Sequence, residues 1–493
     1  MFSRLSPPLL LTLLAAACAL SACTVGPDYA GAPKVAPDAA QAAGFVRTPN
    51  TGFVSAPAPR EWWVSLNDPQ LTALIEAALA HNPDVHAAQA RLREARAQLQ
   101  QQKADGMPTA SFDAAALRVR QPNLSSFSSS QGSSGNGSSN QSSTGGGPLQ
   151  LYTAGFDASW EIDLFGGTRR AVEAASDEAD AVDADLADTQ VSLAAEVAQA
   201  YIDLRDEQQR LLLAQRSAKL QQQMLDLTQQ RRARGTAADI DVERLTTQVE
   251  DTRSTLSPLD AQVNESLDQL AVLTGQAPGA LDAQLSGLQP IPALPESVPV
   301  GDPASMLQQR PDIRAAERRL ASSNAQIGEH TADFFPKVTL LGDLGFSAAD
   351  PGHLLRKNNF SWLGVPYLQW NILDFGRTLS SVHNAEASRD EADAHYTHTV
   401  LAALQDANTS LSRYGHQREH LATLQQIQAS ADRSATLMRQ RYTAGASSLI
   451  DLLDTQRVEF TSEQNVVAGQ AELLKDFVSL QKSLGLGWSM RQS

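Results

Sequence analysis

The sequence predicts a mixed α/β architecture in which one unit occurs twice, each copy supplying two strands and a set of long coiled-coil helices. Three observations carry that expectation: a repeated block of motifs, short segments of alternating polarity, and helical stretches of unusual length. Asn82-Pro83-Asp84-Val85 recurs as Arg310-Pro311-Asp312-Ile313, a shift of 228 that also superposes Arg91-Leu92 on Arg319-Leu320 and Pro108 on Pro336. Further along, the shift becomes 210. There Trp160, Ile162, Phe165 and Gly166 match Trp370, Ile372, Phe375 and Gly376, while Gly235 and Gly275 match Gly445 and Gly485. The change of 18 coincides with a Ser/Gly tract, residues 125–147, found in the first copy alone, so the tract reads as an inserted loop.

At the N-terminus, Arg4 precedes an apolar stretch over residues 9–20, and Ser21 and Ala22 lead to Cys23. That is the layout of a secretory signal over residues 1–22. Leu20-Ser21-Ala22-Cys23 resembles the bacterial lipobox, which implies that Cys23 carries a covalent lipid and becomes the first mature residue. Cys18 lacks the aliphatic residue three places before it and is the poorer match. Thr24 stands where an inner-membrane retention signal would have Asp, which points to the outer membrane. The extended segment 23–66 follows; its first part, 24–60, is rich in Pro, Ala and Gly and reads as a tether lying along a surface.

The first repeat spans 67–275 and the second 304–487, with a Pro-rich connector over 276–303 and a tail over 488–493. Each copy opens with a helix (83–107, 311–335) that has Pro in its first turn and is ended by Pro108 or Pro336. Strands are expected at 108–120 and 149–163, and again at 336–348 and 360–373. Outgoing helices over 168–232 and 378–442, on the order of 100 Å long at 1.5 Å per residue, lead to Gly-marked turns and returning helices over 238–274 and 448–484. An incoming and a returning helix together match the outgoing one in length, which predicts that they stack end to end. Leu193, Val197, Ala200, Leu204, Leu211, Ala214, Ala218 and Leu225 follow 3/4 spacing, as do Val400, Leu404, Ala407, Leu411 and Tyr414; both sets read as coiled-coil packing.

In the second strand, Tyr152, Ala154, Phe156, Ala158, Trp160 and Ile162 alternate with Thr153, Asp157, Ser159 and Glu161. Period two marks a strand between unlike environments, either a soluble sheet on a core or a barrel wall between lipid and water. The lipoprotein signal favours the wall. Four strands cannot close, and an open edge in lipid is prohibitive. Eight strands from two chains would leave a filled interior, whereas twelve from three leave a water-filled lumen. The expectation is therefore a mixed α/β membrane channel: a trimeric 12-stranded β-barrel, four strands per chain, on a long α-helical coiled-coil tunnel. A net charge of −16 lacks the basic footprint of a nucleic-acid binder. With Cys18 and Cys23 the sole cysteines, a disulfide framework is excluded. The pairs His395/His398 and His416/His420 lack a carboxylate placed as in HExxH, and no phosphate loop or nucleophile elbow occurs. No metal, no cofactor beyond the lipid and no enzymatic activity are expected.

Glu61-Trp62-Trp63, Asp68-Pro69, Leu71-x-x-Leu74-Ile75 and Asn82-Pro83-Asp84 resemble the opening of the outer membrane factors, the TolC-like proteins. Arg310-Pro311-Asp312-Ile313-Arg314-x-Ala316-Glu317 with Phe335-Pro336 resembles their second-copy signature, and Cys23-Thr24-Val25-Gly26-Pro27-Asp28-Tyr29 looks like the lipidated NodT-type branch. The resemblance covers residues 18–488. It implies a homotrimer in the outer membrane that reaches into the periplasm as the passive exit duct of a tripartite pump. The partners would be a periplasmic adaptor and an inner-membrane proton-driven transporter, the cargo small molecules such as drugs and toxic compounds. A type I protein-secretion duct is the alternative on the same fold, and a lipoprotein coiled-coil scaffold without a pore is the alternative of another class.

The family's periplasmic tip corresponds to the hairpins at 232–241 and 442–454. By resemblance, Asp451 and Asp454 line the aperture, with Tyr442 and Asp241 in its closing contacts. The turn residues Arg232, Gly235, Thr236, Thr443, Gly445 and Ala446 would meet the adaptor. Asp451 and Asp454 share a helix face, so a trimer would hold two carboxylate rings whose repulsion raises some pKa values and attracts cations. Ser447 stands where some relatives place a basic residue of the gate network, which puts the wiring of the closed state in doubt.

Overall fold

The computed structural model describes residues 24–42, 44–48, 52–54, 56–119 and 149–488. Cys23, the signal over 1–22 and the Ser/Gly tract at 125–147 lie outside the described residues. The chain divides into two compact units. One takes residues up to 30 with 96–177 and 321–390; the other takes 31–95, 178–320 and 391–493. Neither unit is a repeat: each draws segments from both copies.

The first unit is built on one antiparallel sheet, in the order β1 (Thr109–Val119), β2 (Leu149–Ile162), β3 (Lys337–Ala348) and β4 (Phe360–Gln369). The register aligns Phe112, Phe156, Leu344 and Trp362 in one apolar row, with Phe112 and Phe156 ring centroids 5.2 Å apart. Ser111, Asp157 and Asp343 align on the other face. A sheet packed on a soluble core buries its apolar face. Here the apolar row stays 62, 54, 50 and 76% exposed, and the outer edges of β1 and β4 have no strand partner among the described residues. β4 stops at Gln369 rather than running to 373, because Gln369 pairs with Lys337, the first residue of β3.

The helices are α1 (Pro69–His81), α2 (Pro83–Asp105), α3 (Gly167–Ala233), α4 (Asp239–Ser254), α5 (Leu256–Leu273), α6 (Pro303–Gln309), α7 (Pro311–Ala332), α8 (Arg377–Thr443) and α9 (Leu449–Ser483). No helix of the described residues is long and apolar enough to cross a membrane. The first returning helix, read as continuous over 238–274, is broken at Thr255. Pro258 has no N–H for the Ser254 carbonyl, so the chain restarts as α5.

In the second unit the 3/4 stripes form the core: Leu193, Val197, Ala200, Leu204 and Ala214 are buried, as are Val400, Leu404, Ala407, Leu411 and Tyr414. The two copies of the Pro-Asp motif do the same work. Asn82 Nδ2 donates to the Leu273 carbonyl (2.9 Å), and Arg310 Nη1 donates to the Ser483 carbonyl (2.8 Å). Each therefore ties the start of an incoming helix to the open C-terminal carbonyls of a returning one. Gly275 and Gly485, both at positive φ, permit these junctions; a Cβ on either would strike the backbone of His81 or Arg310.

Segments without periodicity prove anchored. Phe53–Val54 pairs in parallel with Val298–Pro299 of the connector, and Phe53 meets the Tyr414 ring at 5.5 Å. Buried Arg205 holds the connector through the Gly287 carbonyl (2.9 Å), bonds Gln70 and Gln208, and lies over the Tyr201 ring. Trp488, counted in the tail, is buried against Ala187 and Val191 beneath the guanidinium groups of Arg60 and Arg314.

Candidate functional site

The second unit contains both helical hairpins. The C-terminus of α3 and that of α8 close in the same way. Gly235 (φ 75) and Gly445 (φ 72) adopt left-handed backbone; Thr236 N donates to the Arg231 carbonyl (2.9 Å) and Ala446 N to that of Arg441 (2.8 Å). This is the Schellman arrangement, in which glycine lets the chain reverse while orphan carbonyls are satisfied.

The helices that leave the two turns start differently. Ser448 and Asp451 form a capping box: Asp451 N donates to Ser448 Oγ (3.2 Å), and Ser448 N and Oγ donate to Asp451 Oδ2 (3.1 and 2.7 Å). Ala238, at the start of α4, offers no side-chain cap; there Arg232 and Asp239 form an ion pair across the turn.

An apolar cluster joins the hairpins. Leu225 of α3, Val242, Leu245 and Val249 of α4, and Leu449 and Leu453 of α9 are buried together, with Met224 and Tyr442 against them. On one flank, Leu220, Met224 and Leu227 of α3, Tyr442 of α8, and Leu452 and Phe460 of α9 line an open groove of about 480 Å³.

Asp451 and Asp454 are both exposed on the first turns of α9, and Asp241 is half-buried on the first turn of α4. The Tyr442 hydroxyl accepts a hydrogen bond from Arg231 Nη1 (3.2 Å), whose guanidinium also lies 5.8 Å from the ring centroid. Arg232, Gly235, Thr236, Thr443, Gly445 and Ala446 are all exposed on the turns, where Thr236 and Thr443 bond back to the Arg231 and Gln440 carbonyls.

Within one chain the carboxylates are not a bare negative field. Hydrogen bonds from the Ser448 side chain and backbone hold the Asp451 carboxyl below its ordinary value. Asp454 lies 3.7 Å from Arg457. Arg231 and Arg457 are the residues that sequence reasoning missed; Arg457, three places beyond Asp454, was visible as an i, i+3 pair. Ser447, at the departure from the family pattern, has a buried hydroxyl with no partner in this chain. Among the described residues, no group of His, Cys, Asp or Glu is placed to hold a metal ion.

The profile of the outer membrane efflux protein family matches residues 74–276 and 303–486. The chain belongs to that family. Over 491 residues it is 32% identical to the antibiotic efflux pump outer membrane protein ArpC of Pseudomonas putida, covering 97% of this chain and 96% of that one. Nodulation protein T of Rhizobium leguminosarum bv. trifolii is 30% identical over 472 residues, with 95% and 96% covered. The solved outer-membrane channel OprN superposes with a TM-score of 0.84 at 33% identity, over 94% of this chain and all of that one. The protein is thus a mostly helical, TolC-like outer membrane efflux component. Its relatives are channels rather than enzymes.

Proposed function

We propose that three copies join β4 of each chain to β1 of the next, closing a 12-stranded barrel across the outer membrane above a helical periplasmic duct. The observation that carries this reading is the open-edged sheet, whose apolar row of Phe112, Phe156, Leu344 and Trp362 stays exposed. In lipid such edges must be paired, and closure is the only way to pair them all. Cys23 carries the lipid that anchors each chain.

The duct is passive. A periplasmic adaptor engages the hairpin turns around Arg232, Gly235, Thr236, Thr443, Gly445 and Ala446, and an inner-membrane proton-driven transporter supplies the energy. Asp451, Asp454, Tyr442 and Asp241 form the periplasmic gate. Small-molecule cargo is favoured because relatives such as ArpC are named for antibiotic efflux pumps. Photo-crosslinking in cells from Thr443 and Ala446, with mass spectrometry of the captured proteins, tests the reading. An adaptor with a proton-driven transporter supports it; an adaptor with an ATP-driven exporter moves the cargo to protein, and no adaptor at either position overturns it.

A further inference from the structure

The first described residues are held far more tightly than a tether needs to be. Val25 N donates to the Phe165 carbonyl (3.0 Å), in the turn between β2 and α3. Arg170, on the first turn of α3, has a side chain only 5% exposed. Its Nη2 donates to Asp28 Oδ1 (2.5 Å) and the Gly26 carbonyl (3.5 Å), its Nε to the Val25 carbonyl (3.4 Å), and its Nη1 to Glu173 (2.8 Å). From α7, Asn324 Nδ2 donates to the Pro27 carbonyl (3.0 Å). Three glycines make room: Gly26 (φ 91) lies on the backbone of Gly328, Gly328 faces the Arg170 side chain, and Gly166 (φ 86) faces Thr24, so a Cβ at any of them would collide. All of these residues belong to the first unit.

The duplication supplies an internal control. The 210 shift carries Phe165 and Gly166 to Phe375 and Gly376, but it carries Arg170 to Ser380. Gly376 (φ 84) makes the same strand-to-helix turn as Gly166 with Ser380 at the position of Arg170, so the turn itself does not need Arg170. Phe165 stacks on Phe335 at 4.6 Å, whereas Phe375 is 89% exposed. A guanidinium this buried needs its charge and donors matched. Every such partner except Glu173 comes from residues 25–28.

We infer that Phe165, Gly166, Arg170, Asn324 and Gly328 form a binding site for the chain's own residues 24–28, present in one repeat and absent from the other. This goes beyond the proposed function and rests on its lipidated Cys23 only for the consequence at the membrane. Val25 lies two residues after Cys23 in the chain, and two residues of chain reach about 7 Å. Nearby Trp160 donates its indole N–H to the Gly106 carbonyl (3.0 Å), the mixed apolar and polar setting of an interfacial aromatic girdle. The lipid is then seated on the barrel rim instead of hanging on a tether, and it fixes the depth of the β2–α3 turn in the inner leaflet.

The test uses the mature full-length protein, in which an acylated Cys23 leaves an introduced cysteine as the only free thiol. A nitroxide on Ala30→Cys reports the segment by electron paramagnetic resonance in detergent, alongside the intact mass of the chain. The expected spectrum is dominated by an immobilised component that is lost in Arg170→Ala and Gly328→Ala and unchanged in Ser380→Ala. Asp28→Asn covers the case in which the other variants fail to fold: its side chain is 92% exposed, and it should release part of the label. A label mobile in the parent, or still immobile in both Arg170→Ala and Asp28→Asn, overturns the site. An intact mass in which Cys23 carries a second label in place of the lipid overturns the role in seating the lipid, and the site is then read from the same label on a Cys23→Ser background.

Discussion

Asp451 is a capping residue and, in the function proposed above, also a gate carboxylate, and the two roles separate by substitution. Asp451→Asn keeps an oxygen for the Ser448 N–H while removing the charge; Asp451→Ala removes both. If charge holds the gate, Asp451→Asn with Asp454→Asn should raise the open-to-closed ratio in planar bilayers roughly tenfold, the effect of about 1.4 kcal/mol on a closed–open equilibrium. No change on double neutralisation would remove these residues from the gate. The capping contribution has a defined pH dependence. The folded pKa lies below its unfolded value, so the stabilisation is present above about pH 3.8 and is lost as pH falls through the folded value.

Asp476 behaves in the opposite sense. Burial pushes its carboxyl up to about 6, and Glu472 adds to the shift against Arg413 and Lys475. Because the folded value lies above the unfolded one, ionisation costs stability that declines between pH 3.8 and about 6 and stays low above. Asp476→Asn should therefore raise thermal stability at pH 7.5, by about 1 kcal/mol once solvent screening is allowed for, and give no gain at pH 4. Melting curves at the two pH values check the sign.

Among the elements, glycines at similar positive φ have unequal importance. No atom lies near a Cβ built on Gly235 or Gly445, so Gly→Ala there costs only the left-handed conformation, about 1 kcal/mol. Hydrogen exchange should report faster opening of the hairpin with the rest of the fold unchanged. At Gly485 a Cβ runs into Arg310, so Gly485→Ala should abolish the α7–α9 junction and reduce folded protein several-fold more than Gly445→Ala. Equal effects of the two substitutions would refute this reading of the junction. The turns were legible because both copies place Gly after the same helix. The break at Thr255 was not read because Pro258 lies inside an otherwise continuous pattern, and such a residue ends or kinks a helix depending on its surroundings.

For the whole molecule the decisive quantity is the uncovered face of the sheet. Phe156 sits mid-strand in the apolar row. If the proposed barrel forms, Phe156→Arg should destabilise it by about 2–4 kcal/mol, the cost of a basic residue near the bilayer centre. The yield of the proposed trimer on gels should then fall, while the Asp157 position on the opposite face should tolerate Asn. A normal trimer yield with Phe156→Arg would mean that this face does not meet lipid.

Sequence by itself determined what repeats and what alternates. The four strands, the long helices and the Gly turns are local patterns that depend on neighbours three or four residues away at most, and the duplication is legible because the same local patterns recur. It also carried the family motifs that name the tip. What only the tertiary structure decided are the partners of single groups: Arg231 for Tyr442, Ser483 for Arg310, Asp28 for Arg170, and the guanidinium groups of Arg60 and Arg314 over Trp488. Those pairs join residues 142 to 211 positions apart in the three hydrogen bonds. No periodicity records such a contact, because it exists only once two distant segments have been brought to hydrogen-bonding distance by the packing of everything between them.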